Sequence, residues 1–152
     1  MAKLTVGNGL NEYIRKLEKI SDTSEFLGKA VYQGAAIVNK AVESALQELP
    51  TDDRPGSHYD KRQGIRSVEK QGLIQSYGIA KMQNDNGYLN VKLGFDGYNK
   101  RGKANAMIAR SLISGTSFMQ KNDFIGKAVT KSKAAAEEAM KIEIDRSIQN
   151  YL

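Results

Sequence analysis

The single histidine, His58, stands in a polar stretch with Asp52, Asp53 and Asp60, the one place where an imidazole and several carboxylates come close together in the chain. Side chains of these types can form an acid–base pair or the start of a metal site. Such a site needs three or four ligands on rigid elements, each held by its own hydrogen bonds. One imidazole on a loop falls short of that, so a solvated polar loop is the plainer reading. A second group, Lys100, Arg101 and Lys103 with Tyr98 beside them, has the types that contact phosphate and stack on bases. Three charges also suit a solvated loop, although a ring of subunits would repeat them as a collar of charge. Gly-x-Ser-x-Gly, Walker and His-Glu-x-x-His motifs are missing from the sequence. Gly7-Asn8-Gly9 follows no apolar strand and reads as a turn. The expectation is a protein that is not an enzyme, with no catalytic residue, metal or cofactor.

Composition bounds what the rest of the chain can be. At 152 residues it fits one domain, 1–152, and 40% hydrophobic with 26% charged residues is ordinary for a folded chain. There are 23 basic and 17 acidic residues, a net charge of +6 that favours polyanions and is also compatible with solubility alone. The absence of cysteine excludes disulfides, thiolate metal sites and cysteine nucleophiles. No stretch approaches the roughly 18 apolar residues of a membrane span, and the start lacks a signal-like apolar run. A soluble, unsecreted protein is expected.

The elements that must position these residues follow from periodicity. Met1 to Val6 reads as an extended arm, and Asn8 caps a first helix bearing Leu10, Tyr13, Ile14, Leu17 and Ile20. Ser21 to Ser24 begins a long second helix, whose apolar residues from Phe26 to Leu49 cover more than half its girth. Such a helix is central to the domain or shared with a partner. Gly34-Ala35-Ala36 permits close approach by another helix, and Pro50 ends the run. Thr51 to Lys70 is a long polar loop without periodicity, of the kind that is functional or ordered only on binding. Within Gly72 to Phe95 the period becomes two: Tyr77, Ile79 and Lys81, then Leu89, Val91, Leu93 and Phe95, joined by Asn84-Asp85-Asn86-Gly87, predict a β-hairpin. A basic loop, Gly97 to Lys103, leads to a helix over Ala104 to Ser114 that Gly115 stops. Asn122 is the expected cap of a long last helix from about Asp123 towards Asn150, with Ala136, Met140, Ile144 and Ile148 on one side and Lys131, Lys133, Glu137, Lys141, Asp145 and Arg146 on the other. The expected fold class is α+β, a central antiparallel hairpin packed against about four helices.

Several of these residues resemble a family. Leu49-Pro50, then Gly72-Leu73 with Ser76, Gly78 and Ile79, is similar to the "Pro, spacer, Thr-Gly-x-Leu-x-x-Ser" passage of the small tail-component proteins of long-tailed bacteriophages, also called tail-completion or neck proteins. Ala109 through Gly115-Thr116, then Phe124-Ile125 and Ala128, resembles their passage into the last helix, and Gly9-Leu10 with Leu17 fits their opening. Gln71 stands in place of the usual Thr, and Asp123 where Pro is common. The resemblance implies a structural virion protein, made in the host cytoplasm, that multimerises into a hexameric or dodecameric ring at the head–tail junction. Its neighbours there are the head connector and the tail tube or tail terminator, with transient contact to DNA in the lumen. On that reading Arg54, His58, Lys61, Arg62, Tyr98, Lys100, Arg101 and Lys103 lie on assembly or lumen loops. The alternative is a small basic nucleic-acid-binding module placing Arg54, Lys61, Arg62, Arg66, Lys100, Arg101 and Lys103 on phosphates, which steep salt dependence would reveal.

Overall fold

The structure, a computed structural model, describes residues 24–86 and 88–151. The expected N-terminal arm and first helix lie outside them. In chain order the elements are α1 (Ser24–Gln47), α2 (Ser67–Ser76), β1 (Tyr77–Ile79), β2 (Gln83–Asp85), β3 (Tyr88–Asn90), β4 (Leu93–Phe95), α3 (Asn105–Ser114) and α4 (Phe124–Tyr151). The class is α+β: an antiparallel ribbon packed against the four described helices.

Helices α1 and α4 form the frame, and a glycine makes room for a side chain between them. A β-carbon at Gly34 would come 2.7 Å from the sulfur of Met140. Along α4, Phe124, Ala128, Ser132, Ala136 and Ser147 are buried, while the six charged positions expected to face water do so. Ser132 is tolerated inside because its hydroxyl donates to the Ala128 carbonyl at 2.8 Å. The wide apolar girth of α1 is used within the chain, since it packs on α4, α2 and the ribbon. Its first turn still leaves Leu27 partly exposed. At the C-terminal end of α1, Val42, Leu46 and Leu49 meet Ile65, Leu73, Ala109, Leu112, Met119 and Phe124 in one core.

Helix α2 replaces part of two expected features. Ser67–Ser76 is helical, so the irregular stretch ends at Arg66 and no extended chain begins at Gly72. Asp53 reaches across fourteen residues to accept from the Ser67 backbone N–H (2.8 Å) and hydroxyl (2.6 Å), supplying the first turn with a partner from outside the helix. Glu69 accepts from the Arg66 N–H at 3.1 Å. Lys70 in turn donates to the Gln47 and Leu49 carbonyls, both at 2.8 Å, holding α2 against the unsatisfied end of α1.

The hairpin is present, divided into two short ladders. β1 pairs with β4 (Tyr77 with Phe95, Ile79 with Leu93), and β2 pairs with β3 (Gln83 with Asn90, Asp85 with Tyr88). The Ala80 N–H extends the first ladder to the Lys92 carbonyl at 2.8 Å. Lys81 and Met82 therefore stand opposite Val91 alone, which is a β-bulge. Asn84 and Asp85, expected in the turn, belong to β2, and Asn86 turns the chain at φ 54°. The bulge turns Met82 towards α1, where its N–H donates to the Tyr32 hydroxyl oxygen at 3.0 Å and its sulfur lies against Gly28.

The start of α4 differs by one residue from expectation. Asp123 is the cap, its carboxylate accepting from the Gly126 N–H at 3.0 Å, while the Asn122 N–H is spent on the Leu112 carbonyl. Gly115, at φ 76°, ends α3 as expected.

Candidate functional site

The sequence-predicted residues fall into two groups at opposite ends of α3. Ten helical residues separate them by about 15 Å at 1.5 Å per residue.

The first group rides on the segment 51–66, which is a folded loop. The Arg54 guanidinium donates to Asp52 at 2.8 Å and to Asp60 at 2.7 and 3.2 Å, with a further bond to the Lys61 carbonyl. Asp52 also accepts from the Gln63 N–H at 3.1 Å. Parallel backbone bridges join Thr51 to Ile65 and Arg62 to Met119, and Ile65 is fully buried. The bond to Arg54 holds the Asp52 carboxyl below the usual carboxylate range; bonds from Ser67 do the same for Asp53. Two carboxylates keep Arg54 protonated beyond its ordinary value.

Arg54 is thus a clasp of its own loop, and the carboxylates it binds are withdrawn from His58. Among the described residues no group of three or more His, Asp or Glu is placed to hold a metal ion. His58 packs edge-on to Tyr59, and with Lys61 it borders a shallow cavity of about 340 Å³ closed by Ser114–Ser117, Met119 and Lys121. Arg62 is bound through its backbone, its N–H to the Phe118 carbonyl and its carbonyl to the Gln120 N–H. Its side chain is half-buried, with Nε and Nη1 inside the protein.

The second group rides on the loop 96–104, whose shape depends on Asn99. Its side-chain Oδ1 accepts from the Arg101 N–H (2.9 Å) and the Lys103 N–H (3.1 Å), and its own N–H donates to the Lys103 carbonyl at 2.8 Å. Positive φ at Gly97 and Gly102 completes the tight path. Pinned from inside, the loop turns Tyr98, Lys100, Arg101 and Lys103 outward. Asn105, the first residue of α3, anchors the other side by donating from Nδ2 to the Asp96 carbonyl at 2.9 Å. Between this loop and α2 lies a cavity of about 230 Å³ bordered by Gly72, Gln75, Tyr98, Asn99, Lys100 and Asn105 among others.

Neither Asn99 nor Asn105 stands out in the sequence, because their importance lies in backbone partners that only the fold supplies. The available hint is local: Asn99 stands between two glycines, Gly97 two residues before it and Gly102 three after, which is the turn chemistry of a loop organiser.

Neither a family model, a curated protein nor a solved structure matches the chain. No helix among the described residues is long and apolar enough to cross a membrane.

Proposed function

We propose that the chain is a structural subunit that multimerises with copies of itself, acting as a tail-completion or neck component at the head–tail junction of a long-tailed phage. The phage setting rests on the resemblance of the Leu49–Ile79 and Ala109–Ala128 passages. The observation that carries self-assembly is the ribbon. Each of its two ladders has two strands among the described residues, so no further described strand covers their outer sides, and Ile79 is partly exposed on β1. Open edges of this kind pair readily with a strand of another chain. Light scattering over a concentration series at low and high salt tests the reading. A closed oligomer that survives salt and is lost in Ile79→Lys is the expected result, and a monomer at every concentration speaks against it.

A second reading, contact with nucleic acid, is favoured by the rigid outward display of Tyr98, Lys100, Arg101 and Lys103 on the Asn99-centred loop. Adding duplex DNA to the same series, with salt varied, separates the two readings.

A further inference from the structure

The cavity between α2 and the loop 96–104 is polar and has two side chains at its edge that the fold leaves half-used. Asn99 is 7% exposed and Asn105 3% exposed. Backbone partners settle which way each amide points. The Asn99 oxygen is occupied by the Arg101 and Lys103 N–H groups, so its Nδ2 is the free end; the Asn105 nitrogen is occupied by the Asp96 carbonyl, so its Oδ1 is the free end. Both free atoms are buried without a partner among the described residues. They belong to one place: a β-carbon at Gly72 would lie 2.7 Å from Asn105 Oδ1 and 2.9 Å from Asn99 Cβ. Both residues border the same cavity. A buried donor and a buried acceptor on residues that border one cavity, neither bonded to the other, each cost free energy unless matched.

We propose that this cavity receives a single unpaired nucleobase, whose pairing edge parts the packing over Asn99 Nδ2 and Asn105 Oδ1 and meets both atoms. This inference rests on the second reading above and specifies its ligand. Every base carries an acceptor beside a donor on its pairing edge, which is the complement of this pair, so recognition is tolerant of base identity. In a duplex that edge is occupied, so the ligand is single-stranded. Tyr98, 75% exposed and bordering the cavity, supplies a face for stacking. Lys100 at the rim, with Arg101 and Lys103 beyond it, faces the flanking phosphates. The one carboxylate at the rim, Asp96, accepts from the Gly97 N–H at 2.7 Å and is outweighed by these cations.

The test uses the full chain and fluorescein-labelled 12-mer DNA, either single-stranded of mixed sequence or annealed as a duplex, followed by anisotropy at low and high salt. The single strand is expected to bind more tightly than the duplex. Tyr98→Ala, at an exposed position, is expected to weaken single-strand binding about tenfold through lost stacking. Asn99→Asp retains oxygens for the Arg101 and Lys103 N–H groups and replaces the free donor by an acceptor; it is expected to cost about tenfold as well. Unchanged circular dichroism and thermal midpoint verify that both variants fold. Duplex binding equal to single-strand binding, with Asn99→Asp neutral, would overturn the base cavity while leaving phosphate contact standing. Failure of both DNAs to bind would overturn both. If neither DNA binds and Asn99→Asp instead lowers the self-associated mass, the two amides serve a neighbouring chain, which also refutes the proposal.

Discussion

Replacing Gly64 by alanine isolates how closely the 51–66 loop must fold back on the end of α1. The new β-carbon would sit inside contact range of the Pro50 carbonyl oxygen, 2.5 Å from Pro50 C and 3.0 Å from Thr51 N. These are backbone atoms that cannot rotate away, and comfortable carbon contacts begin near 3.5 Å, so the two segments must part by about 1 Å. The adjacent Asp52 N–H to Ile65 carbonyl bond, 2.8 Å long, would stretch past useful range. Losing it costs about 0.5–1.5 kcal/mol. Displacing the fully buried Ile65 adds an overpacking cost of about 1–3 kcal/mol. The sum is about 1.5–4.5 kcal/mol, equivalent to a fall in Tm of about 3–18 °C for a chain of this length. Gly78→Ala is the control, because nothing lies within 4 Å of its β-carbon and the change there is about 0.5 kcal/mol or less. Both variants restrict the unfolded chain alike, so their difference reports the folded state. The chain has no tryptophan, so urea unfolding is followed by far-ultraviolet circular dichroism and tyrosine fluorescence at fixed protein concentration. Equal midpoints for Gly64→Ala and Gly78→Ala would show that the Pro50–Gly64 approach is not a constraint on stability.

Two pH responses follow from the same geometry. Asp52 and Asp53 have carboxyl values lowered below the ordinary 3.8, so the stability they lend the loop is present above that value and is lost as pH falls through their lower folded values. The amide resonances of Gln63 and Ser67, which donate to these carboxylates, are expected to titrate with midpoints under 3.8; midpoints at or above it would contradict the clasp. Burial, helped by the charge of Glu43, pushes the Tyr77 hydroxyl up to about 12, so its contribution is complete below pH 10 and lost as pH rises from 10 through 12. Ultraviolet titration of the tyrosinates should lose one late-ionising group in Tyr77→Phe, and an unchanged alkaline limb would count against this burial.

Helices α1 and α4 were legible because each sustains a helical period over more than twenty residues, enough for the apolar stripe to outweigh local exceptions such as Leu27. Helix α2 was not legible, and the reason is specific. It is ten residues long, only Glu69 and Leu73 along it are buried, and its first turn is completed by Asp53 from well outside any local window. The same holds for the 51–66 loop, whose charged residues looked available until Arg54 was seen to neutralise Asp52 and Asp60. At the candidate site the cations and Tyr98 were visible as residue types. Asn99 and Asn105 were not, since their role depends on which amide atom the backbone has already taken.

The bulge at Lys81–Met82 makes the ribbon an arm with an elbow. One surplus residue lets Met82 take the slot facing α1 and leaves Lys81 in water, and a bulge adds local twist. The tip, Gln83 to Asn90, is therefore aimed by backbone count at the elbow, while the base of the arm is held by Tyr77 and Phe95 against the core. Substitutions along the outer tip can change what the arm offers a neighbour without changing where it reaches.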